Sequence, residues 1–165
     1  MRLCFDMDGT ITEGRFIEPP RTREAYMALK LYDDDTRNVW NRLSKHEIYI
    51  VTARSDPRAD LMIYDYLVRE CMCLPTAILT AIPQPLKWSL AMQLGCDVQI
   101  DDSPNVAETV YDRNPEFILM DNPHWKKNQE HEPYPYIQTC KSWKALEGLI
   151  EAIDIRKSYQ RIPRT

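Results

Sequence analysis

The sequence predicts an α/β fold: a parallel sheet with helices on both faces and a small insertion after the first strand. Short apolar runs alternate with segments of helical periodicity, and most connections between them are short. At 165 residues, 44% apolar and 28% charged, the chain has material for one proper core and too little for two.

The strands come first. Apolar runs place them at Arg2–Phe5, Glu47–Val51, 76–80, 97–100 and Glu116–Met120, with a weaker one at 136–139. Between the second and third, Pro57 reads as the first helical position after Ser55 or Asp56 as cap, with Leu61, Ile63, Tyr64, Leu67 and Val68 continuing the pattern. A second helix is expected over 86–94, stopped by Gly95. A third follows Ser103, with Pro104 at its first position, and the last covers 142–153. The insertion, 13–46, holds Pro19-Pro20 and then the acidic run Asp33-Asp34-Asp35, which can cap a helix over 36–45. It has the length of a flap and small lid on one domain spanning 1–155. The basic residues Arg156, Lys157, Arg161 and Arg164 read as a solvated tail over 156–165.

Charge and cysteines narrow the class. A formal net charge of −4 points away from a nucleic-acid partner. No apolar run reaches membrane-spanning length and no basic-then-apolar leader opens the chain, so a cytoplasmic protein is expected. Five cysteines, Cys4, Cys71, Cys73, Cys96 and Cys140, have neither disulfide-framework nor zinc-finger spacing and are expected reduced.

In open parallel sheets ligands bind beyond the carboxyl ends of the strands. Collected there are Asp6, Asp8 and Thr10 after the first strand, Thr52, Ala53 and Arg54 after the second, and Asp101, Asp102 and Ser103 after the fourth. Lys87 starts the helix after the third. Each alone has a plain explanation as a polar turn or a solvated helix start; together they match the needs of phosphate chemistry. Mg²⁺ takes hard carboxylate oxygens plus phosphate and water. A phosphoryl group needs positive charge and hydrogen-bond donors, which Lys87, the Thr52 hydroxyl and backbone N–H groups such as that of Ala53 can supply. One aspartate can attack phosphorus while a second shuttles the proton, so Asp6 and Asp8 need not be redundant.

The ordered pieces DMDGT, IVTAR, Lys87 and IDDSP resemble the four motifs of the haloacid dehalogenase-like (HAD) phosphohydrolase superfamily. The resemblance spans Asp6 to Asp102 and implies a HAD-like Rossmannoid fold with Asp6 as nucleophile and Asp8 as general acid/base. It implies that Thr52 and Lys87 bind phosphate. Mg²⁺ would be held by Asp6, the backbone carbonyl of Asp8 and an acid of the last motif, with Asp102 favoured over Asp101 and the doublet left open. The second aspartate favours phosphatases over dehalogenases.

The stretches RLCFDMDGTIT, YIVTAR and FILMDNPHWKKN are further similar to the 5′(3′)-deoxyribonucleotidase-like branch, including its small bacterial and phage members. That implies a 5′-nucleotidase acting on (deoxy)nucleoside monophosphates. The alternatives are a polynucleotide 3′-phosphate end, another small phosphorylated metabolite, or a non-catalytic module retaining the fold. The insertion is smaller than the branch's helical cap. Phe16 and Trp40 are candidate base-stacking rings, with core or lid packing as the competing reading, and Arg54 is either a substrate contact or a surface arginine. His124, Trp125, Lys126 and Lys127 could line the same cleft, with a solvated loop as the default for His124.

Overall fold

The computed structural model describes residues 1–14, 22–122 and 137–160. Phe16, Pro19-Pro20, His124, Trp125, Lys126, Lys127, Arg161 and Arg164 lie outside them. The described elements are β1 (Arg2–Phe5), α1 (Arg23–Met27), α2 (Thr36–Leu43), β2 (Glu47–Val51), α3 (Ala59–Arg69) and β3 (Ala77–Leu79). They continue with a 3-10 turn (Gln84–Leu86), α4 (Lys87–Gln93), β4 (Val98–Asp101), α5 (Pro104–Ala107), β5 (Glu116–Met120), β6 (Ile137–Cys140) and α6 (Trp143–Gln160).

The strands form one parallel six-stranded sheet in the order β3-β2-β1-β4-β5-β6, an α/β Rossmann-like fold. Chain order reverses beside β1: its successors β2 and β3 lie to one side, and β4 to the other. The strand pleat then sorts the core. Leu3 and Phe5 face one side of the sheet and Cys4 the other; Ile118 and Met120 join the first side, Phe117 and Leu119 the second. The first side is the larger, covered by α1, α2, α3 and α6 through Tyr26, Val39, Trp40, Ile63, Leu67, Leu146 and Ile150. On the second, Trp88 and Ala91 of α4 and Val106 of α5 cover the sheet.

Aromatic packing anchors the larger side. Phe5 stacks on Trp143 with centroids 5.5 Å apart, and Trp40 lies 5.3 Å from Phe5 and 6.1 Å from Trp143. Both indoles also bond: Trp40 Nε1 donates to the Cys73 carbonyl (2.7 Å) and Trp143 Nε1 to that of Thr10 (2.8 Å). Asp33 ties two helix starts together. Its Oδ1 accepts from the Thr36 hydroxyl (2.9 Å) and its Oδ2 from the Trp143 N–H (2.9 Å), so the acidic run acts through Asp33, and the N-cap residue Asp35 makes no side-chain cap.

Three sequence expectations change. Pro57 does not open α3; Arg58 adopts a left-handed conformation (φ 65°) and the helix begins at Ala59, after a turn. The last helix runs to Gln160, seven residues past the expected end. Arg156 and Lys157 therefore belong to α6 rather than to a solvated tail, because sheet acids receive them: Arg156 bonds both oxygens of Glu116 (2.5 Å each) and Lys157 bonds Asp97 (2.8 Å). All five cysteines are free, as their spacing suggests. No helix among the described residues is long and apolar enough to cross a membrane.

Because Trp143 unites the ring cluster, the Asp33 link and the Thr10 carbonyl, Trp143→Ala should cost about 3–5 kcal/mol, the range for truncating a buried large aromatic. Denaturant melts measure this; a loss below about 1 kcal/mol would show that the core does not depend on it.

Candidate active site

The site sits where the strand order reverses, at the carboxyl ends of β1 and β4. The Asp6 N–H donates to the Ile100 carbonyl (2.9 Å), carrying the β1–β4 ladder one step further and bringing Asp6 beside Asp101 and Asp102. The loop after β2 is joined to the loop after β3 by Thr52 N–H to Leu79 O (3.0 Å), Ile82 N–H to Thr52 O (3.1 Å) and Ala81 N–H to Arg54 O (2.6 Å). Those links aim the start of α4, and with it Lys87, at the same point.

Lys87 is buried there, 1% exposed. Its Nζ lies 2.8 Å from Asp6 Oδ1 and 3.1 Å from Asp101 Oδ2. Burial alone would lower the lysine's pKa, but Asp101 and Asp6 outweigh it and hold the ammonium charged. The other Asp101 oxygen accepts the Ser103 N–H (2.9 Å). Burial and the neighbouring Asp6 push the Asp101 carboxyl up to about 7 against those two donors.

Asp6, Asp101 and Asp102 are buried and each offers an oxygen within 4.8 Å of the others'. Three carboxylates around one ammonium leave surplus negative charge, and hard anionic oxygens at this spacing fit a divalent cation of the Mg²⁺ type. The doublet divides by place. Asp101 is engaged by Lys87 and Ser103 and does not line the cleft, while Asp102 does.

Asp8 stands apart from this cluster. Arg54 grips it with two hydrogen bonds, Nε to Oδ2 (2.6 Å) and Nη2 to Oδ1, and the guanidinium lies 4.3 Å over the Tyr26 ring of α1. Burial pushes the Asp8 carboxyl up, with Arg54 pulling against it. Arg54 is 5% exposed and so is not a surface arginine. Asp6, Asp8, Thr52, Ala53, Arg54, Lys87, Asp102 and Ser103 line one cleft of about 560 Å³ together with Ser55, Asp56, Pro57 and Gln84. Gln84 is steadied by Asn105 of α5 (3.0 Å).

Two candidate contacts are elsewhere. Trp40 is fully buried in the aromatic cluster, where its ring fills the core between β1 and α6, and is no substrate contact. Thr10 is likewise buried and does not line the cleft; its segment is there to be packed under Trp143. Phe16 lies outside the described residues.

Sequence reasoning missed the supports. Gly9 (φ 78°) lies so close to Asp102 that a Cβ there would sit 1.8 Å from Asp102 Oδ2, and Gly14 (φ 67°) packs on Gly9. Asn122, just past β5, donates to the carbonyls of Gly9 (3.3 Å) and Glu13 (3.2 Å), clasping both ends of that turn. The Asp-Gly pair in DMDGT and the Asp-Asn in FILMDNP were the available signals; neither states a spatial partner.

Gly9→Ala should therefore lower stability by about 2 kcal/mol or more, combining a strained φ with the displaced Asp102 carboxylate. The control is Gly148→Ala, exposed in α6 with nothing within 4 Å, which should stabilise by about 0.5–1 kcal/mol. Thermal melts of both variants decide; equal shifts would disprove the close approach.

No family model matches the sequence, and no curated protein matches it. Solved structures match the fold. A 3-deoxy-D-manno-octulosonate 8-phosphate phosphatase from Moraxella catarrhalis, in complex with magnesium ion, phosphate ion and KDO molecule, superposes with a TM-score of 0.52 at 17% identity, covering 92% of this chain and 84% of that one. A hypothetical protein from Xanthomonas campestris gives 0.52 at 14%, covering 94% and 87%. A dehalogenase gives 0.50 at 15%, covering 76% of this chain and 59% of its own. At these identities the likeness establishes a shared fold: a Rossmann-like domain of the architecture that these phosphatase and dehalogenase structures use.

Proposed function

We propose that the chain is a Mg²⁺-dependent phosphomonoesterase working through an aspartyl-phosphate on Asp6. The carrying observation is the convergence of Asp6, Asp8, Thr52, Lys87 and Asp102 on one cleft at the switch point of a parallel sheet. The magnesium and phosphate ions bound to the Moraxella catarrhalis phosphatase support the same chemistry on this fold.

In this reading Asp6 attacks phosphorus, the P–O bond to the leaving group breaks, and Asp8 gives its proton to the departing alkoxide. Asp8 then takes a proton from water as that water attacks the aspartyl-phosphate, releasing inorganic phosphate and restoring Asp6. Lys87 and the Thr52 hydroxyl hold the equatorial oxygens through both steps. Asp6 and Asp102, with Asp101 and, by the family resemblance, the Asp8 backbone carbonyl as further donors, would hold Mg²⁺, which when bound would neutralise the phosphoryl oxygens.

A nucleoside monophosphate is the substrate we favour, on the strength of the sequence resemblance of RLCFDMDGTIT, YIVTAR and FILMDNPHWKKN. Among the described residues no aromatic ring lines the cleft, so the walls of Ser55, Asp56 and Gln84 support other small phosphorylated metabolites as the second reading. A panel of nucleotides, sugar phosphates and end-phosphorylated oligonucleotides separates them.

Asp6→Asn should reduce turnover by about three decades or more, because an amide neither attacks phosphorus nor serves as an anionic ligand. Activity within about tenfold of wild type, or full activity of wild type in excess chelator, would refute the assignment. Lys87→Ala should lower kcat/KM by about 10²–10³, the scale of losing one preorganised donor to a developing anion. A near-normal kcat/KM would mean that the lysine only balances Asp101.

A further inference from the structure

The pairing of Arg54 with Asp8 carries an inference that rests on the phosphatase reading and goes beyond it. We propose that Arg54 is the positioning residue for Asp8, backed by the Tyr26 ring, so that the insertion after β1 sets the aim of the proton-transferring carboxylate.

Four observations support this. First, both Asp8 oxygens are taken by different nitrogens of one guanidinium, which fixes the plane of the carboxylate as well as its place. Second, the guanidinium is itself held. Tyr26 lies beneath it, and the Arg54 main chain is tied by its N–H to the Thr52 hydroxyl (3.3 Å) and by its carbonyl to the Ala81 N–H (2.6 Å). Third, both residues line the cleft, but the Asp8 side chain is 26% exposed and that of Arg54 3%, so the carboxylate is the more open to it. Fourth, Tyr26 is completely buried against the larger core, a rigid backing rather than a mobile surface ring.

A carboxylate that must face a leaving oxygen in one step and a water in the next gains from a fixed plane, since misplacement by about 1 Å can cost about a hundredfold in rate. An arginine that bound phosphate directly would behave differently, because it would hold substrate equally in every step.

The test is Arg54→Lys, which keeps a cation beside Asp8 but not the two-pronged grip. With an aryl phosphate, whose leaving group needs no proton, the first-turnover burst of phenolate should stay within about threefold of wild type while steady-state kcat falls at least about tenfold. With an alkyl phosphate, phosphorylation should slow as well. Because kcat/KM reports the phosphorylation step alone, KM on the aryl phosphate should fall in step with kcat while inhibition by inorganic phosphate stays within about threefold, and the same substitution in an Asp8→Asn background should cost no more than about twofold. Tyr26→Leu should reproduce the split more weakly, giving a second variant if Arg54→Lys folds poorly.

A burst and steady state that fall together, a rise in KM and in the phosphate inhibition constant, or an undiminished loss in the Asp8→Asn background would each overturn the positioning role. Wild type without phosphatase turnover would instead overturn the parent reading, and this role with it.

Discussion

One buried ammonium organises the molecule's working edge. Lys87 reaches two carboxylates from different strands, Asp6 after β1 and Asp101 ending β4, with a third, Asp102, alongside. At a separation of about 4 Å and an effective dielectric near 20, each charge pair is worth about 4 kcal/mol, so neither the lysine nor the acids could be buried alone. The parallel sheet makes the meeting possible, because it brings the carboxyl ends of consecutive strands to one edge. The reversal of strand order beside β1 opens a crevice there rather than closing the edge with another helix.

A crowded cluster of charges needs the backbone to come unusually near, and that explains the turn after β1. Gly9 and Gly14 leave room for each other and for the Asp102 carboxylate, and Asn122 donates to the carbonyls at both ends of the turn. Trp143 adds a further contact through the Thr10 carbonyl. The same tryptophan stacks on Phe5, the last residue of β1 before the acids. Core packing and site geometry are thus one construction, and a change in either is felt in the other.

What could be read from the sequence follows from how local its causes are. Strand positions were legible because apolar runs bounded by turns are local signals; β1, β2 and β5 have the expected bounds, β3 is one residue shorter at each end, β4 lies one residue later, and β6 ends one residue later, its expected first residue lying outside the described residues. The ordered aspartates, Thr52 and Lys87 were legible as a set because strand ends in this fold converge. The misses depend on partners distant in sequence. Arg156 continues α6 because Glu116 waits at the foot of β5, and Trp40 is core because Phe5 and Trp143 surround it. Arg58's left-handed turn delays α3 despite a proline well suited to start it. Nothing local in the sequence distinguishes Arg54 from a surface arginine; the distinction is made by Asp8, forty-six positions away, and by a tyrosine in the insertion.

Why two acids stand two residues apart now has a physical answer. An extended backbone sends residues i and i+2 to the same side, so Asp6 and Asp8 should repel across one cleft. The fold separates them by giving each its own cation. Asp6 shares Lys87 with Asp101 and sits 7% exposed in the anionic cluster, where a divalent cation fits. Asp8 is drawn to Arg54 and keeps part of its surface toward the cleft. The two cations come from different places: Lys87 from the helix after β3, Arg54 from the loop after β2, with Tyr26 of the insertion beneath it. Each carboxylate can therefore have its own environment although the chain leaves almost no distance between them. That independence is what the proposed two-step transfer would use, since one carboxylate would have to be ionised to attack while the other carries a proton. A site with one shared cation would tie the two acids to a single charge state and lose the division of labour.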